Sequence, residues 1–374
     1  MKKQIYKINP DRNKPWNDLP LLPIDKNLFE TIEIFKVLGE AKAALARLQG
    51  RSAIIPNQGL LINTISLQEA KISSEIENIF TTDDELYKAY SEDHSESSSA
   101  SKEVLRYREA LWSGFNYLKE KEQFDMSYFI KVFQVIKQTS DKIRPSFIDT
   151  TIKQRGSGSS GGGKVIYTPP QETHIIEEKL TNLINYLNTE DDVDPLIKMA
   201  IAHFQFEAIH PFRDGNGRTG RILNIHYLTT KGLLDYPILF LSRYILDHKE
   251  SYYLGLQGVS QRGDWANWIL FMLKGIKETS DDTYEKINAI TKAKDNILNY
   301  LKENGSFQKT ENLVEFIFTQ PYTKVNHFVE AGIYAEKTAR KYLNDLCNYQ
   351  ILEKKSISGN HYYLNIELNR ILSD

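Results

Sequence analysis

Residues 210–221 read "HPFRDGNGRTGR" and set an imidazole, a carboxylate, an asparagine, three glycines and three arginines within one short stretch. Two helix-forming runs flank it, "DPLIKMAIAHFQFEAI" before and "GRILNIHYLTTKG" after. Glycines at 215 and 217 permit the positive-φ backbone that turns several amides inward as an anion nest. The helix starting near Arg218 adds its dipole and its unpaired N–H groups. Arg218 and Arg221 stand one helical turn apart, so both guanidiniums reach one anion. Asp214 would repel that anion unless Mg²⁺ lies between them. His210, with an ordinary pKa near ~6.5, can take a proton from an attacking hydroxyl at neutral pH. The set points to a nucleoside triphosphate, a metal and a base, without saying which phosphorus is attacked. A zinc reading is weaker. His203, Glu207 and His210 share a helical face at i, i+4 and i+7. Pro211, however, turns His210 off that face, and the two-histidine protease spacing is absent. His203 and Glu207 therefore read as supports of the fold or of the groups that surround the site.

The elements around this stretch are mostly helical. "NLFETIEIFKVLGEAKAALARLQG" repeats apolar residues at three- and four-residue spacing and predicts a helix that stops at Gly50, a C-cap. "SLQEAKISSEIENIF" predicts a second, from about Ser66 to Phe80. The serine-rich stretch 91–103 predicts a solvated loop and a boundary. Helical patterns resume in "EVLRYREALWSGFNYLKE" and "MSYFIKVFQVIKQ". "GSGSSGGG", 156–163, is a flexible break like an engineered linker, and the β-like "KVIYTPP" after it predicts a short hairpin. Short helices at about 309–319, 323–331 and 335–349 precede an alternating hairpin with Gly359-Asn360 at its tip. That order is the order of a winged helix-turn-helix. Residues 301–374 carry nine Lys+Arg against nine Asp+Glu, without the basic excess of a DNA reader. Lys337, Arg340, Lys341, Lys354 and Lys355 still offer one positive face, so DNA binding and protein docking both stay open.

Composition narrows the class. The 374 residues carry a formal net charge of −2, with 41% hydrophobic and 26% charged residues. This describes a soluble globular protein with room for two or three domains, not a fibrous or disordered one. The near-neutral charge excludes a whole-molecule electrostatic footprint for nucleic acid or anionic membrane. The start, "MKKQIYKINPDRNKPW", has no apolar run behind its lysines, and "YPILFL" and "WILFML" are too short to span a bilayer. The single cysteine, Cys347, excludes an intramolecular disulfide and argues against a cysteine-based zinc site. The expected location is the cytoplasm.

Residues 210–221 match without departure the signature H-P-F-x-D/E-G-N-G-R-x-x-R, and the chain resembles the Fic (filamentation induced by cAMP) proteins over roughly residues 30–275. "ALARLQG", "PNQGLL" and "EAKISSEIENI" resemble the N-terminal segment of the branch with an upstream inhibitory helix. "KVIYTPP" resembles its target-docking flap, and "YILDHKESYYLGLQGVSQRGDWANW" the helices that close its nucleotide pocket. The resemblance implies a mainly α fold: a Fic-type helical core with a short β-hairpin flap and a small C-terminal winged-helix domain. The corresponding segments are 1–100, 101–300 and 301–374.

The implied activity is AMPylation, in which AMP passes from ATP to a Ser, Thr or Tyr hydroxyl of a target protein and pyrophosphate leaves. The implied roles follow the motif. His210 is the base, and Asp214 holds Mg²⁺ against the α- and β-phosphates. Gly215, Asn216 and Gly217 form the anion cradle, Arg218 neutralises the phosphate tail, and Arg221 grips the γ-phosphate. Phe212 anchors the loop to the core. Position 215 is Gly, not the Lys of the phosphate-transferring Doc-like branch, so a kinase is not implied. Tyr252 and Tyr253 line the adenine site or serve the core. Lys164, Val165, Ile166 and Tyr167 form the flap that aligns a target strand. "SSEIEN" fits the inhibitory pattern S/T-x-x-x-E-G/N as Ser73, Glu77 and Asn78, with Glu77 pairing bidentately with Arg221 in the space the γ-phosphate needs. In this family the same glutamate can also position water for the reverse reaction, removal of AMP. A DNA-binding regulator with a nucleotide-sensing core is the third reading. Self-modification and a homodimer stay open, and no membrane partner is implied.

Overall fold

The computed structural model describes residues 6–9, 11–53, 58–91, 98–148, 150–154, 164–357 and 360–373. The glycine–serine run 156–163, the centre of the 91–103 stretch, part of "PNQGLL" and Gly359 lie outside them. The helices before the flap are α1 (Ile32–Ala53), α2 (Gln58–Ile76), α3 (Asp83–Ser91), α4 (Ser99–Lys121) and α5 (Met126–Lys137). Strands β1 (Ile152–Gln154) and β2 (Lys164–Tyr167) pair antiparallel as the flap, with Lys153 opposite Val165. Next come α6 (Thr173–Asn188), α7 (Pro195–Ile209), α8 (Asn216–Thr230), α9 (Leu241–Asp247), α10 (Lys249–Arg262) and α11 (Trp265–Asn304). The C-terminal module holds α12 (Thr310–Ile317), β3 (Tyr322–Thr323), α13 (Val325–Glu330), α14 (Glu336–Asn348), β4 (Leu352–Ile357), β5 (Asn360–Asn365) and α15 (Ile366–Ser373). Its sheet has the antiparallel order β3-β5-β4. The fold is mainly α, as the periodicities predict.

Helix α7 lies at the centre. Its apolar run "PLIKMAIAHFQFEAI" has no polar face, and nearly every residue from Leu196 to Ile209 is buried. Pro195 starts it behind the Asp194 cap, which accepts from the Leu196 amide at 2.9 Å. Antiparallel to it packs α8, also buried from Asn216 to Leu228, although much of that stretch is polar. A buried polar helix is tolerable where its side chains find partners. His226 does so on both ring nitrogens, with the Tyr128 hydroxyl at 2.7 Å and the Leu111 carbonyl at 2.8 Å. Burial holds its pKa down to about 4, so it is neutral.

Three boundaries differ from the expectation. Helix α1 does not stop at Gly50 but runs to Ala53, because Ser52 is still buried and Arg51 Nε still donates to Asn288 Oδ1 on α11 at 2.7 Å. Packing on α11 outweighs the glycine, which costs a helix about 1 kcal/mol. The second helix begins at Gln58 and ends at Ile76, not near Ser66 and Phe80. Its end is a Schellman cap. Asn78 takes the left-handed conformation with φ 64°, the Ile79 amide donates to Ser74 O at 3.0 Å, and the Asn78 amide to Glu75 O at 2.9 Å. Helix α3 was not expected at all. Its signal is Thr82 and Glu85, a capping box in which each side chain bonds the other's amide, at 3.2 and 3.3 Å. At the far end of the polar stretch, α4 starts at Ser99, capped by Ser98.

The C-terminal module has the three helices and hairpin that its sequence predicts, joined by the extra strand β3. Helix α11 runs unbroken from Trp265 to Asn304 into it. The five basic residues do not share one face. Lys354 lies over the Tyr363 ring, whose hydroxyl donates to Asn344 of α14, whereas Lys355 lies over Tyr322 and 3.6 Å from Asp84 of α3. Successive strand residues point to opposite faces, so adjacent lysines must diverge.

Asn78 gives the first prediction. A β-branched Val at φ 64° should lower stability by about 1–2 kcal/mol in urea or thermal unfolding, while Asn78→Gly should stay near the parent protein. Equal losses in both variants would show that the left-handed backbone is not what Asn78 supplies.

Candidate active site

His210 ends α7 in the left-handed conformation, φ 50°, and its amide closes the helix onto Phe206 O at 3.0 Å. A non-glycine residue is held there only by its surroundings. Arg144 supplies them: its Nε donates to the His210 carbonyl at 2.8 Å, its amide to the Pro211 carbonyl at 2.9 Å, and its Nη2 to the Pro170 carbonyl beyond the flap. The next residues are locked by Asn216, whose Oδ1 accepts from the Phe212 amide at 2.9 Å and whose Nδ2 donates to the Phe212 carbonyl at 2.8 Å. Phe212 is fully buried and stacks on Phe133 with ring centroids 4.1 Å apart, the anchor its sequence position suggests. Gly215 takes φ 78° and opens α8. The loop is thus set before any ligand arrives. Burial first, and the nearby Arg144 charge second, hold the His210 pKa down to about 4, so its imidazole is neutral across the physiological range.

Three carboxylates face two arginines and a lysine. Arg218 is buried and donates to Glu103 Oε1 of α4 at 2.7 Å. Lys137 of α5 lies 3.5 Å from that same oxygen and donates to Asp214 Oδ2 at 2.6 Å. The Asp214 carboxylate is pushed up by burial but pulled lower overall by Lys137. Arg221, also buried, spends its donors on α2: Nε to Ser73 Oγ at 2.8 Å, Nη2 to Ser73 O at 2.9 Å and to Glu77 Oε1 at 2.8 Å. The pairing with Glu77 therefore uses one carboxylate oxygen rather than two, with Nε given to Ser73 and Nη2 shared between Ser73 and Glu77. Burial raises the Glu77 pKa, yet the charge and hydrogen bond of Arg221 more than offset this and leave it lowered. Gly217 makes the approach feasible: a Cβ there would stand 2.4 Å from Glu77 Oε1 and 3.0 Å from Arg221 Nη1.

One cavity gathers Glu77, Glu207, His210, Gly217, Arg221, Tyr252 and Tyr253, with Ile166 and Tyr167 of the flap along its rim. Tyr252 is buried and its hydroxyl meets His203 Nε2 at 2.9 Å, whereas Tyr253 is 38% exposed. His203 is neutral, its pKa held near 3 by burial and then by Arg221. Glu207 has an oxygen buried without a hydrogen-bond partner among the described residues, and burial raises its pKa to about 7. Tyr167 turns inward and donates to the Ala208 carbonyl at 2.7 Å, while Lys164 is exposed and Val165 and Ile166 are half-buried. Asp214, Gly215, Asn216 and Arg218 do not line the cavity. Glu103, Lys137 and Arg144 carry no motif of their own, and sequence reading missed them. No group of three or more His, Cys, Asp or Glu able to hold a metal occurs among the described residues.

Three family profiles match successive parts of the chain: the Fic/DOC family N-terminal profile at residues 35–116, the Fic/DOC family profile at 124–228, and the "Protein adenylyltransferase SoFic-like, C-terminal domain" profile at 294–368. The chain is 28% identical over 183 residues to protein adenylyltransferase fic-1 of Caenorhabditis elegans, covering 48% of this chain and 32% of that protein. It is 30% identical over 178 residues to a probable protein adenylyltransferase of Aquifex aeolicus, covering 46% and 44%. The chain therefore spans less than half the length of these curated relatives. Among solved structures, a Fic family protein from Desulfovibrio desulfuricans shares the fold with a TM-score of 0.55 at 18% identity, over 92% of this chain and 98% of that one. A Fic domain containing signaling protein from Bacteroides thetaiotaomicron gives a TM-score of 0.51 at 18% identity, over 68% and 94%. No helix among the described residues is long and apolar enough to cross a membrane. With its motif intact at the junction of the two central helices, its fold shared and its length tiled in order by these profiles, the chain belongs to the Fic/DOC family.

Proposed function

We propose that this chain is a protein adenylyltransferase that transfers AMP from ATP to a Ser, Thr or Tyr hydroxyl and is held back by Glu77. The observation that carries this reading is the hydrogen bond of Arg221 to Glu77 in the cavity that His210 also lines. A neutral imidazole accepts the target hydroxyl's proton as its oxygen bonds to the α-phosphorus and the bond to pyrophosphate breaks. The first amides of α8, on a loop already locked by Asn216 and Arg144, meet the phosphates without reorganisation. Arg218 and Arg221 offset their charge. Asp214 would hold Mg²⁺, and the site fits it: an exposed carboxylate already faces a cation in Lys137, and Mg²⁺ usually takes few protein ligands beside phosphates and water. When bound, the ion neutralises charge on the transferring phosphates. The flap strand β2 offers an edge on which an extended target segment can pair by backbone hydrogen bonds. Tyr253 at the cavity wall suits an adenine ring, while Tyr252 is tied to His203.

Two variants test the chemistry. His210→Ala should cut transfer of label from α-labelled ATP by about 10²–10⁴-fold while ATP binding persists, since the imidazole acts on the hydroxyl. Unchanged transfer would remove His210 as the base. Glu77→Gly frees Arg221 of a charge-assisted bond worth about 1.5–3 kcal/mol, so labelling of targets or of the chain itself should rise about ten- to a hundredfold. Adding Arg221→Ala should abolish most of that gain. A folded, ATP-binding Glu77→Gly protein with no gain would show that Glu77 is no brake.

A further inference from the structure

Glu77 sits at the end of α2, and only residues 77–82 separate that helix from α3. Helix α3 has nine residues, too few to persist without docking. It docks on the C-terminal module. Asp84, in its first turn, accepts from the Tyr322 hydroxyl of β3 and lies 3.6 Å from Lys355 Nζ of β4. The Tyr87 ring packs on Tyr322 with centroids 6.2 Å apart, and both rings are almost wholly buried. Lys355 in turn donates to the Tyr322 hydroxyl at 3.3 Å, closing a three-membered polar cluster. On its other side α3 grips the inhibitory helix. Gln68 Nε2 donates to the Tyr87 hydroxyl at 2.7 Å and Lys71 Nζ to Asp83 Oδ1 at 2.9 Å, and both donors belong to α2.

The order of contacts is module, α3, α2, Glu77, Arg221. Gln68 and Lys71 lie on α2 away from Ser73 and Glu77, and a second cleft opens along that outer face between α2, α9, α11 and α15. The outer face of α2 is thus partly open to solvent where its C-terminal end must be kept in place. Helix α2 packs on α4 and α9, and Lys249 Nζ of α10 donates to the Ile76 carbonyl at its end at 2.6 Å, while α3, itself packed on α4 and on β3, braces the outer face of α2 at Gln68 and Lys71. The Asp84 side chain is 57% exposed, so its polar contact sits at the rim and contributes modestly, whereas the Tyr87 and Tyr322 rings beside it are buried.

We propose that the C-terminal module is a latch on the inhibitory helix, with Asp84, Tyr322 and Lys355 as positioning residues for Glu77. The inference rests on the adenylyltransferase reading of the site for its activity readout alone. Loss of the Asp84 contact with Tyr322 and Lys355 loosens α3 and, through Gln68 and Lys71, the helix whose end meets Arg221. The module is thereby coupled to the brake through α3.

The 374-residue chain tests this with Asp84→Asn and Tyr322→Phe, alone and together, each in the Glu77 and the Glu77→Gly backgrounds. AMP transfer and KM for ATP are measured beside amide hydrogen exchange across residues 66–80. In the Glu77 background the double variant should raise transfer about three- to tenfold, lower KM for ATP, and speed exchange in α2. In the Glu77→Gly background it should change transfer little, because the brake is already gone. Equal gains in both backgrounds, or unchanged α2 exchange, would overturn the latch. An inactive Glu77→Gly protein would count against the adenylyltransferase reading, and the exchange data would still decide the latch.

Discussion

A guanidinium without water must have partners, and Arg221 organises the site around that need. It is 3% exposed and sits on a helix that is buried on all sides. An unpaired buried charge costs several kcal/mol, so whatever covers Arg221 must bring acceptors. Helix α2 brings the Ser73 hydroxyl, the Ser73 carbonyl and the Glu77 carboxylate. Two further glutamates stand within its field. Glu69 is tied to Tyr107 and Ser242 with its pKa raised to about 7 by burial, and one buried oxygen of Glu207 has no hydrogen-bond partner among the described residues. The packing of α2, the glycine at 217 and the direction of the Glu77 side chain all follow from this one cation. A phosphate would satisfy it as well as a carboxylate does. On the proposed function, helix α2 and the nucleotide would compete for one electrostatic vacancy rather than for two.

The motif was legible because its residue types are costly anywhere else. Glycines at positive φ, arginines at a helix start and a histidine before proline are poor choices for a plain turn, and the structure places them at the junction of α7 and α8. The Asn in the inhibitory pattern was legible as a letter, but its reason is backbone: a left-handed residue must follow Glu77 to end α2 there. Glu103, Lys137 and Arg144 were not legible. They are ordinary surface-type residues until α4, α5 and the 138–150 connection fold against the loop, and no spacing within one segment encodes that meeting. Helix α3 had a local signal in its capping box, but it also packs on α4 and on the Tyr322 ring of a strand more than two hundred residues away. Gly50 misled in the opposite direction, since α11 holds α1 helical beyond it.

These differences divide the site into parts that are fixed and parts that are replaceable. The catalytic loop is over-determined: Arg144 holds two of its carbonyls, Asn216 closes it with two bonds, and Phe212 stacks into the core. Such redundancy is what a left-handed His210 requires, and it suits a reaction in which positioned dipoles meet developing charge. The cover is different in kind. Helix α2 reaches Arg221 through hydrogen bonds and one ion pair, and the flap is a two-stranded hairpin, marginal in itself, anchored by Tyr167 on the Ala208 carbonyl. Polar contacts of that sort are exchangeable for equivalent ones from a ligand, whereas the stacked and locked loop is not. The sequence accordingly places its strictest residue requirements in the loop and its freedom in α2, the flap and the module that reaches them. Regulation can then act on the cover without disturbing the geometry beneath it.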